Sequence, residues 1–370
     1  MAQEHGALVV SVEHRFFGES QPFAGDKAGP LATGHLAFSN SRQAINDLAQ
    51  FTVWFQQERI NAVHGLPADH FNTWVVVGGS YPGALASWYR LKFPHLSAGS
   101  HSASGVVRAI LNYTQFDEQV AAAAGEECAD ALRSVVAALE AGLPGSKALL
   151  NATALTNDGD FFYLVADSMA ESVQYAHRDA LCDAVTPPFR AGKPALAAYV
   201  SFVQEVFFGQ MGNSAADYDT QALADPRTGG NGRSWWWFKC SEVGFWQVAP
   251  SSGSIRSAAV DYEYHRGVCS RVFGRAALPE IEATNTYYGS NVTAGTYTFY
   301  DNGVQDPWRW AGVQKPVAGA GVGVNVIDCD GCAHCQSLYT PSDSDPPQLT
   351  ADRNMLRQAY KTWVARGNGQ

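Results

Sequence analysis

The sequence lacks the features that direct a chain to a membrane or to nucleic acid. None of its apolar runs approaches the ~20 residues that a bilayer-spanning helix needs. Basic residues are in deficit, since 25 Lys and Arg face 35 Asp and Glu and leave a net charge of −10. Bulk attraction to nucleic acid or to anionic lipid is therefore excluded, and we expect neither as a partner. Charged residues are also few, at 16 % against 46 % hydrophobic residues, which excludes a disordered tail and predicts a globular protein.

The beginning of the chain lacks a secretory leader. Residues 1–5 contain neither the basic segment nor the long apolar core of a signal peptide. An apolar run follows at residues 7–13, and such a run predicts a strand that is buried on both faces. The chain is thus either cytosolic or the remainder of a longer precursor, and the family resemblance given below favours the precursor.

The first third of the chain alternates between helix and strand patterns. A domain usually contains ~100–200 residues, so a chain of 370 residues is expected to form two units or one large domain with an insertion. Apolar spacing predicts a helix at 41–60, a strand at 74–77, a helix at 83–93 and a short strand at 97–104. This order is typical of a parallel sheet with crossover helices, which places the fold in the α/β class.

The middle of the chain changes character. Residues 114–209 are rich in Ala with helical spacing, and no strong strand is predicted before 295–300. A strand at 322–327 and a helix at 355–364 then complete the pattern. The simplest architecture is a parallel sheet that a largely helical insert interrupts.

We place the boundaries of this architecture as follows. Residues 1–106 form the first part of the sheet-bearing core, residues 107–285 form the helical insert, and residues 286–370 form the second part of the core.

One turn between a predicted strand and a predicted helix has the composition of a nucleophile elbow. The sequence Gly78-Gly-Ser80-Tyr-Pro-Gly83 stands where the strand must turn sharply, and such a strained turn lifts a serine hydroxyl above the sheet. A small residue is needed at position 78 because a side chain there collides with the helix that follows. The alternative is a tight turn without catalytic function, but the flanking strand and helix favour Ser80 as a nucleophile.

A nucleophilic serine needs a histidine base and a carboxylate that orients it, and in this fold class the chain order is Ser, acid, His. His334 follows the strand at 322–327 in a loop, as expected of the base, whereas His265 fits a surface or packing position. For the acid, Asp301 directly ends the strand at 295–300 and fits a turn cap. Asp306 lies further along the loop and can reach over the edge of the sheet, so we prefer Asp306.

Cysteines and glycosylation sequons favour an oxidising, secretory compartment. The seven cysteines include widely separated ones, and Asn-X-Ser/Thr sequons stand at Asn112, Asn151 and Asn291. The run Cys329-x-x-Cys332-x-x-Cys335 resembles a zinc motif. Its fourth ligand would be His334, which lies inside the same tight run, where its geometry would be poor. We therefore expect no metal and no cofactor.

Five stretches together resemble one serine peptidase family, which contains lysosomal Pro-X carboxypeptidase, dipeptidyl-peptidase II and thymus-specific serine protease. They occur in the family's order along nearly the whole chain: Glu13-His-Arg-Phe-Phe-Gly-Glu-Ser20, Gly78-Gly-Ser-Tyr-Pro-Gly83, Trp237-Phe-Lys-Cys-Ser-Glu-Val-Gly244, Asn302-Gly-Val-Gln-Asp-Pro-Trp308 and Ala333-His-Cys335. The thymus-specific and plant-like branch is the most similar. The resemblance implies an α/β-hydrolase core with a helical lid, and a prolyl-preferring exopeptidase of the lysosomal, vacuolar or extracellular type.

The resemblance also implies roles for individual residues. Ser80, Asp306 and His334 become nucleophile, acid and base, and the backbone N–H of Tyr81 becomes an oxyanion donor. The only partner that it implies is a peptide or protein substrate, and a homodimer stays open.

Aromatic residues suit the proline-like side chain of such a substrate. Trp235, Trp236 and Trp237 either line an apolar slot or pack the insert against the sheet, and Trp308 is a further candidate for substrate contact.

Other residues depart from the family pattern. Phe238 stands where Gln is usual, and Trp236 stands where the dipeptidyl-peptidase branch holds an acid for the substrate's amine. The family's leader and first strands should precede residue 1, so a family member with impaired catalysis stays open as an alternative. A triad alone does not choose between ester and amide bonds, so an esterase or lipase on the same fold stays open as well.

Three further expectations follow. Cys128–Cys182 and Cys240–Cys269 are proposed as disulfides, in agreement with the resemblance. Glu13, His14 and Arg15 are expected to form a buried ion pair beneath the site, with a structural and not a catalytic role. Burial is expected to outweigh the effect of the acid on the pKa of the base, so that activity persists to about pH 5.

Overall fold

The computed structural model describes residues 2–143, 145–274, 278–292 and 295–367. Its centre is a four-stranded parallel sheet in the order β1-β2-β5-β6, and a two-stranded parallel sheet pairs β3 with β4. The strands are β1 (Val75–Gly79), β2 (Gly99–Ala103), β3 (Ile110–Asn112), β4 (Gly244–Trp246), β5 (Thr298–Gly303) and β6 (Gly323–Ile327). Because all four central strands run the same way, their carboxyl ends meet at one edge of the sheet, where ligands bind in open α/β folds.

Helices cover the sheet and fill the stretch between β2 and β5. In chain order the α-helices of the described residues are α1 (Thr33–Leu36), α2 (Ser41–Trp54), α3 (Ala62–His64), α4 (Tyr81–Lys92), α5 (Thr114–Ala124), α6 (Glu126–Ala141), α7 (Gly145–Leu149), α8 (Asp158–Gln174), α9 (Arg178–Arg190), α10 (Leu196–Phe202), α11 (Gly230–Ser241), α12 (Tyr262–Phe273), α13 (Ile281–Tyr288) and α14 (Pro347–Gly367). Shorter 3₁₀ or π-helical turns lie at Gln3–His5, Phe55–Asn61, Val203–Phe208, Ala215–Tyr218, Ala222–Ala224, Ser290–Val292, Arg309–Ala311 and Gln336–Leu338.

Successive residues of β5 serve two different cores, as the twofold periodicity of a strand requires. Tyr300 belongs to the large core that α2 and α4 share with the helices between β2 and β5. Phe299 packs instead with Leu356 and Trp363 of α14. The sheet therefore carries helices on both faces, and the predicted α/β architecture is confirmed.

Several element predictions are confirmed, and the bounds of others change. The predicted helices near 41–60 and 83–93 and the strands near 97–104 and 322–327 are present. The final helix begins at Pro347, earlier than predicted. β5 extends through Asp301 to Gly303, so Asp301 lies inside the strand and does not end it.

The predicted strand at residues 7–13 is wrong. Within the described residues this run forms no strand, and Leu8 and Val9 are 67 % and 73 % exposed. An apolar run becomes a strand only where a neighbouring strand satisfies its backbone groups, and among the described residues β1, the edge of the sheet, pairs with β2 alone. The apolar composition of residues 7–13 predicted a strand, but within the described residues no neighbouring strand pairs with this run.

The segment between β2 and β5 is mainly helical, but it also holds β3 and β4, two short strands that the sequence did not predict. They pair in parallel, with Ile110 opposite Gly244 and Asn112 opposite Trp246. Each of these strands has only three residues, which is too short to show an alternation of apolar and polar residues in the sequence. The division at residues 106 and 285 stays a prediction.

Disulfides and an ion pair fasten this helical segment internally. Cys128 of α6 is bonded to Cys182 of α9, and Cys240 of α11 to Cys269 of α12, with Cα–Cα distances of 5.4 and 5.5 Å. These are the two expected pairings. Arg256 Nε lies 2.5 Å from Asp117 Oδ2, with both side chains at most 1 % exposed.

A third disulfide joins Cys329 to Cys332, and Cys335 is a free thiol. Sulfurs bonded to each other are not metal ligands, because a zinc site needs thiolates.

Candidate active site

Ser80 lies at the sharp turn from β1 into α4. Its backbone has φ 60° and ψ −127°, a left-handed region that a residue with a side chain rarely adopts. The Ser80 N–H donates to the Ala103 carbonyl at the end of β2, at 2.9 Å, which holds the turn against the sheet. A Cβ on Gly78 would collide with the Pro82 carbonyl, so the small residue predicted there is a steric requirement.

Asp306 and His334 come together from the loops that follow β5 and β6. His334 Nδ1 lies 2.8 Å from Asp306 Oδ2 and 2.9 Å from Oδ1, and the two side chains are 4 % and 0 % exposed. A second donor, the Trp308 backbone N–H, reaches Asp306 Oδ1 at 2.8 Å. The carboxylate is therefore held in one plane and faces the Nδ1 side of the imidazole.

The other ring nitrogen of His334, Nε2, is buried and has no hydrogen-bond partner within the part of the chain that the structure describes. The His334 loop lies against the Ser80 turn: Cys335 Sγ is 2.9 Å from where a Cβ on Gly79 would stand. Cys335 also donates its N–H to Ser104 Oγ, at 2.9 Å, just beyond β2. The structure thus brings the predicted nucleophile loop beside the predicted acid–base pair.

Charge decides the pKa of His334. Burial lowers it, but the Asp306 carboxylate and its hydrogen bond, and to a smaller extent the neighbouring Cys335, raise it more, so that the pKa of His334 is raised to about 10. The expectation that burial would outweigh the carboxylate is wrong, because an ion pair at 2.8 Å in a dry site stabilises the imidazolium.

The rival residues serve other functions. Asp301 Oδ2 lies 2.5 Å from His101 Nε2 and its Oδ1 accepts from Ser337 Oγ at 2.8 Å, all in buried positions. His265 is buried against Trp246 and its Nε2 contacts the Gln247 carbonyl, so it packs and is not at the surface. Neither residue is available to a serine at position 80.

The residues at the start of the chain depart from expectation. Arg15 pairs with Asp47 at 2.5 Å, and both side chains are partly exposed. Glu13 is exposed and accepts the N–H groups of Glu19 and Ser20. The expected buried Glu13–Arg15 pair is wrong, since a charged pair gains more by keeping solvent and nearby backbone donors than by burial.

A cavity of about 380 Å³ opens beside Ser80. Of the four predicted aromatic residues, Trp235, Trp236 and Trp308 line it. Its further lining residues are Phe116, Tyr163, Asp167, Glu171, Gln174, Asn213, Asp217, Tyr218, Thr220, Leu223, Gly232, Lys239 and Gln247.

The prediction for Trp237 is wrong. Its indole packs on Phe273 and donates to the Ser39 carbonyl, on a different side of α11 from the cavity. Consecutive helical residues point about 100° apart, so three adjacent tryptophans cannot all face one cavity.

One end of the cavity is lined by polar, ionisable side chains, which the sequence analysis did not predict. Tyr163, Asp167, Glu171 and Gln174 form one face of α8 and line it together. Burial, then the Asp167 carboxylate, raise the pKa of Glu171 to about 8. Lys239 of α11 faces the same space, and burial lowers its pKa to about 7.

A signal for this face exists in the sequence. Polar residues at spacings of four and three in a helix that is otherwise almost fully buried mark a face directed at something other than apolar core.

The sequons lie at the surface to different degrees. Asn112 and Asn151 are exposed and Asn291 is partly exposed, while Thr293 of the third sequon lies outside the described residues. Glycosylation stays a prediction.

Comparison with known proteins identifies one family. The sequence profile of the family described as Serine carboxypeptidase S28 matches residues 1–356. The chain is 36 % identical over 340 residues to a probable serine protease EDA2 of Arabidopsis thaliana, covering 90 % of this chain and 68 % of that protein. It is 28 % identical over 400 residues to the human thymus-specific serine protease, covering 98 % and 75 %. It is 23 % identical over 399 residues to the mouse lysosomal Pro-X carboxypeptidase, covering 98 % and 77 %.

Proposed function

This chain belongs to the serine carboxypeptidase S28 family and is a serine peptidase, and we propose that Ser80, Asp306 and His334 form its catalytic triad. One observation carries the proposal: a buried His334 is oriented by Asp306 through Nδ1 and keeps Nε2 unpartnered beside the strained Ser80 turn. A base held by one nitrogen and open at the other is the arrangement that serine activation requires.

The chemistry proceeds through an acyl-enzyme. Ser80 Oγ attacks the peptide carbonyl carbon while neutral His334 Nε2 takes the hydroxyl proton, and the carbonyl π electrons move to the oxygen. The Tyr81 N–H, in the first turn of α4, has no acceptor within its helix and is available to the oxyanion.

Three proton transfers complete the cycle. The C–N bond breaks as His334 returns its proton to the leaving amine. Water, deprotonated by the same nitrogen, then adds to the acyl carbonyl carbon, and the bond between that carbon and Ser80 Oγ breaks as His334 gives its proton back to Oγ, which releases the acid product. Asp306 stays ionised throughout and stabilises the imidazolium.

A prolyl preference at the cleaved bond is part of the proposal. Trp235, Trp236, Trp308 and Phe116 give the cavity beside Ser80 several aromatic faces, and flat rings suit the compact apolar ring of proline. The polar, ionisable end formed by Asp167, Glu171 and Lys239 supports a peptide over the acyl chain of a lipid, because an acyl chain would strip water from these groups without replacing its hydrogen bonds.

We propose that the enzyme works in the secretory pathway. The two long-range disulfides and the exposed sequons at Asn112 and Asn151 suit an oxidising compartment. Among the described residues, no helix combines the length and the apolar character that crossing a membrane requires.

The proposal is tested by hydrolysis of matched substrates by wild type and Ser80→Ala. The panel holds peptides with Pro, Ala or norvaline before the cleaved bond, each with free or blocked ends, and short- and long-chain esters. We expect turnover of the Pro peptides with a free end, reduced by ~10⁴–10⁶ in Ser80→Ala. Turnover of esters but of no peptide would favour the esterase alternative. Hydrolysis retained in Ser80→Ala would refute the triad, and a wild type without turnover would point to impaired catalysis.

A further inference from the structure

Gln174 stands where the helical segment between β2 and β5 meets the loops of the proposed triad. It ends α8, is 8 % exposed and lines the cavity beside Ser80. Its backbone carbonyl accepts the His334 N–H at 3.1 Å, and its side-chain Oε1 accepts the Trp308 Nε1–H at 2.8 Å. One residue therefore fastens two loops that follow different strands.

These two loops carry the acid and the base. The Trp308 backbone N–H donates to Asp306 Oδ1, and Asp306 in turn orients His334. Hydrogen bonds thus form a closed ring from Gln174 through Trp308, Asp306 and His334 back to Gln174. A shift of the Trp308 indole moves the backbone donor that fixes the plane of the carboxylate.

We propose that Gln174 is a positioning residue that holds Asp306 and His334 in register for proton transfer. The inference rests on the proposed function, because only that function makes Asp306 and His334 a catalytic acid and base. Gln174 shares its helix face with Tyr163, Asp167 and Glu171, so a peptide in the cavity contacts the same face that fixes the acid–base pair.

The chain offers a matched control in Gln119 of α5. Gln119 is also 8 % exposed, its Oε1 accepts the Trp310 Nε1–H at 3.0 Å, and its Nε2 donates to the Val304 carbonyl at 3.0 Å. It therefore makes the same kind of bond from the same helical segment to the same loop. Within the part of the chain that the structure describes, none of these hydrogen bonds reaches Asp306 or His334.

The experiment compares Gln174→Met with Gln119→Met, since Met keeps the length of the side chain and removes the acceptor. The rate of covalent labelling by a small fluorophosphonate is followed against pH, because this probe needs the triad and not the peptide cavity. The limiting labelling rate of Gln174→Met, reached above its acid limb, should be about 2- to 10-fold below that of wild type, the loss of one neutral hydrogen bond, while Gln119→Met should keep the wild-type limiting rate.

The pH profile supplies a readout that a structural role would not move. A loosened Asp306 raises the pKa of His334 less, so the acid limb of labelling should move to lower pH in Gln174→Met alone. The other titratable groups close to the pair are Cys335 beside His334 and Tyr113 and Arg309 near Asp306. Neither substitution changes any of them.

A second variant guards against a folding defect. Trp308→Phe keeps an aromatic ring but loses the pyrrole ring with its Nε1–H, and with it part of the packing on Phe116 and Phe245, so it should reproduce the shifted limb and lower the limiting labelling rate at least as much as Gln174→Met. Its combination with Gln174→Met should be no slower than the slower single variant, because both remove the same bond.

Equal rates for the two Met variants, an unmoved acid limb, or additive losses in the double variant would overturn the inference. Labelling that persists in Ser80→Ala would refute the proposed function itself, so the two failures are distinguishable.

Discussion

The change Asp306→Asn tests the acid–base pair most sharply. Asp306 accepts the His334 Nδ1–H through both oxygens, at 2.8 and 2.9 Å, in a site where neither side chain exceeds 4 % exposure. Asparagine has nearly the same shape but can turn an NH₂ group toward Nδ1. The proton then moves to Nε2, where it blocks transfer from Ser80. We expect kcat to fall by ~10⁴ at pH 8, the cost typical of a wrong imidazole tautomer.

The same change moves the acid limb in a direction fixed by the structure. In the wild type Asp306, with a further effect of Cys335, raises the pKa of His334 to about 10, so kcat/KM should rise with pH up to about 10 as the imidazolium loses its proton. Without that charge, burial lowers the pKa of the imidazole and only Cys335 still raises it, so the limb should lie at lower pH than in the wild type. The deficit of Asp306→Asn should therefore be greatest at high pH and shrink as the pH falls.

The assay is kcat/KM on a neutral blocked peptide from pH 5 to 10, so that substrate titration cannot imitate the limb. Asp301→Asn is the matched control, since it removes a buried carboxylate that contacts His101 and not His334. It should leave the acid limb in place. A larger loss or a larger limb shift in Asp301→Asn than in Asp306→Asn would refute the assignment of the acid.

Three further predictions concern stability and the turn. Cys128→Ser opens a loop closed over 54 residues and should cost about 4 kcal/mol in free energy of unfolding, measured by urea denaturation under oxidising conditions. Asp117→Asn leaves buried Arg256 without its carboxylate at 2.5 Å and should cost about 3–5 kcal/mol in the same assay; a loss under 1 kcal/mol would contradict the burial of an ion pair there. Gly78→Ala places a Cβ against the Pro82 carbonyl, so fluorophosphonate labelling should fall at least tenfold while the circular dichroism spectrum is retained, and unchanged labelling would show that the turn tolerates a side chain.

Sequence patterns were sufficient to predict the part of the site that is formed by residues adjacent in sequence. The turn at Ser80 requires only a strand, a small residue at position 78 and a helix, and all three are legible in consecutive residues. Asp306 and His334 were predicted from chain order and from family resemblance, because no local rule indicates that two loops 28 residues apart will meet.

Features that depend on packing between distant segments were missed. The cavity face of α8 acquires its function only when α8 lies opposite α11, and no spacing within either helix reveals that pairing. The orientation of α11 likewise decides that Trp235 and Trp236 face the cavity and that Trp237 does not. The run at residues 7–13 has the composition of a strand, yet pairing is a property of two segments and not of one.

The most direct test of the triad is the identity of the residue that a fluorophosphonate modifies. Wild-type protein would be labelled at pH 8, digested and mapped by mass spectrometry, with Ser80→Ala and His334→Ala treated in parallel. We expect one phosphonylated residue, Ser80, with no label in Ser80→Ala and labelling slowed by several orders of magnitude in His334→Ala. Modification of a different serine, or labelling of His334→Ala at the wild-type rate, would contradict it.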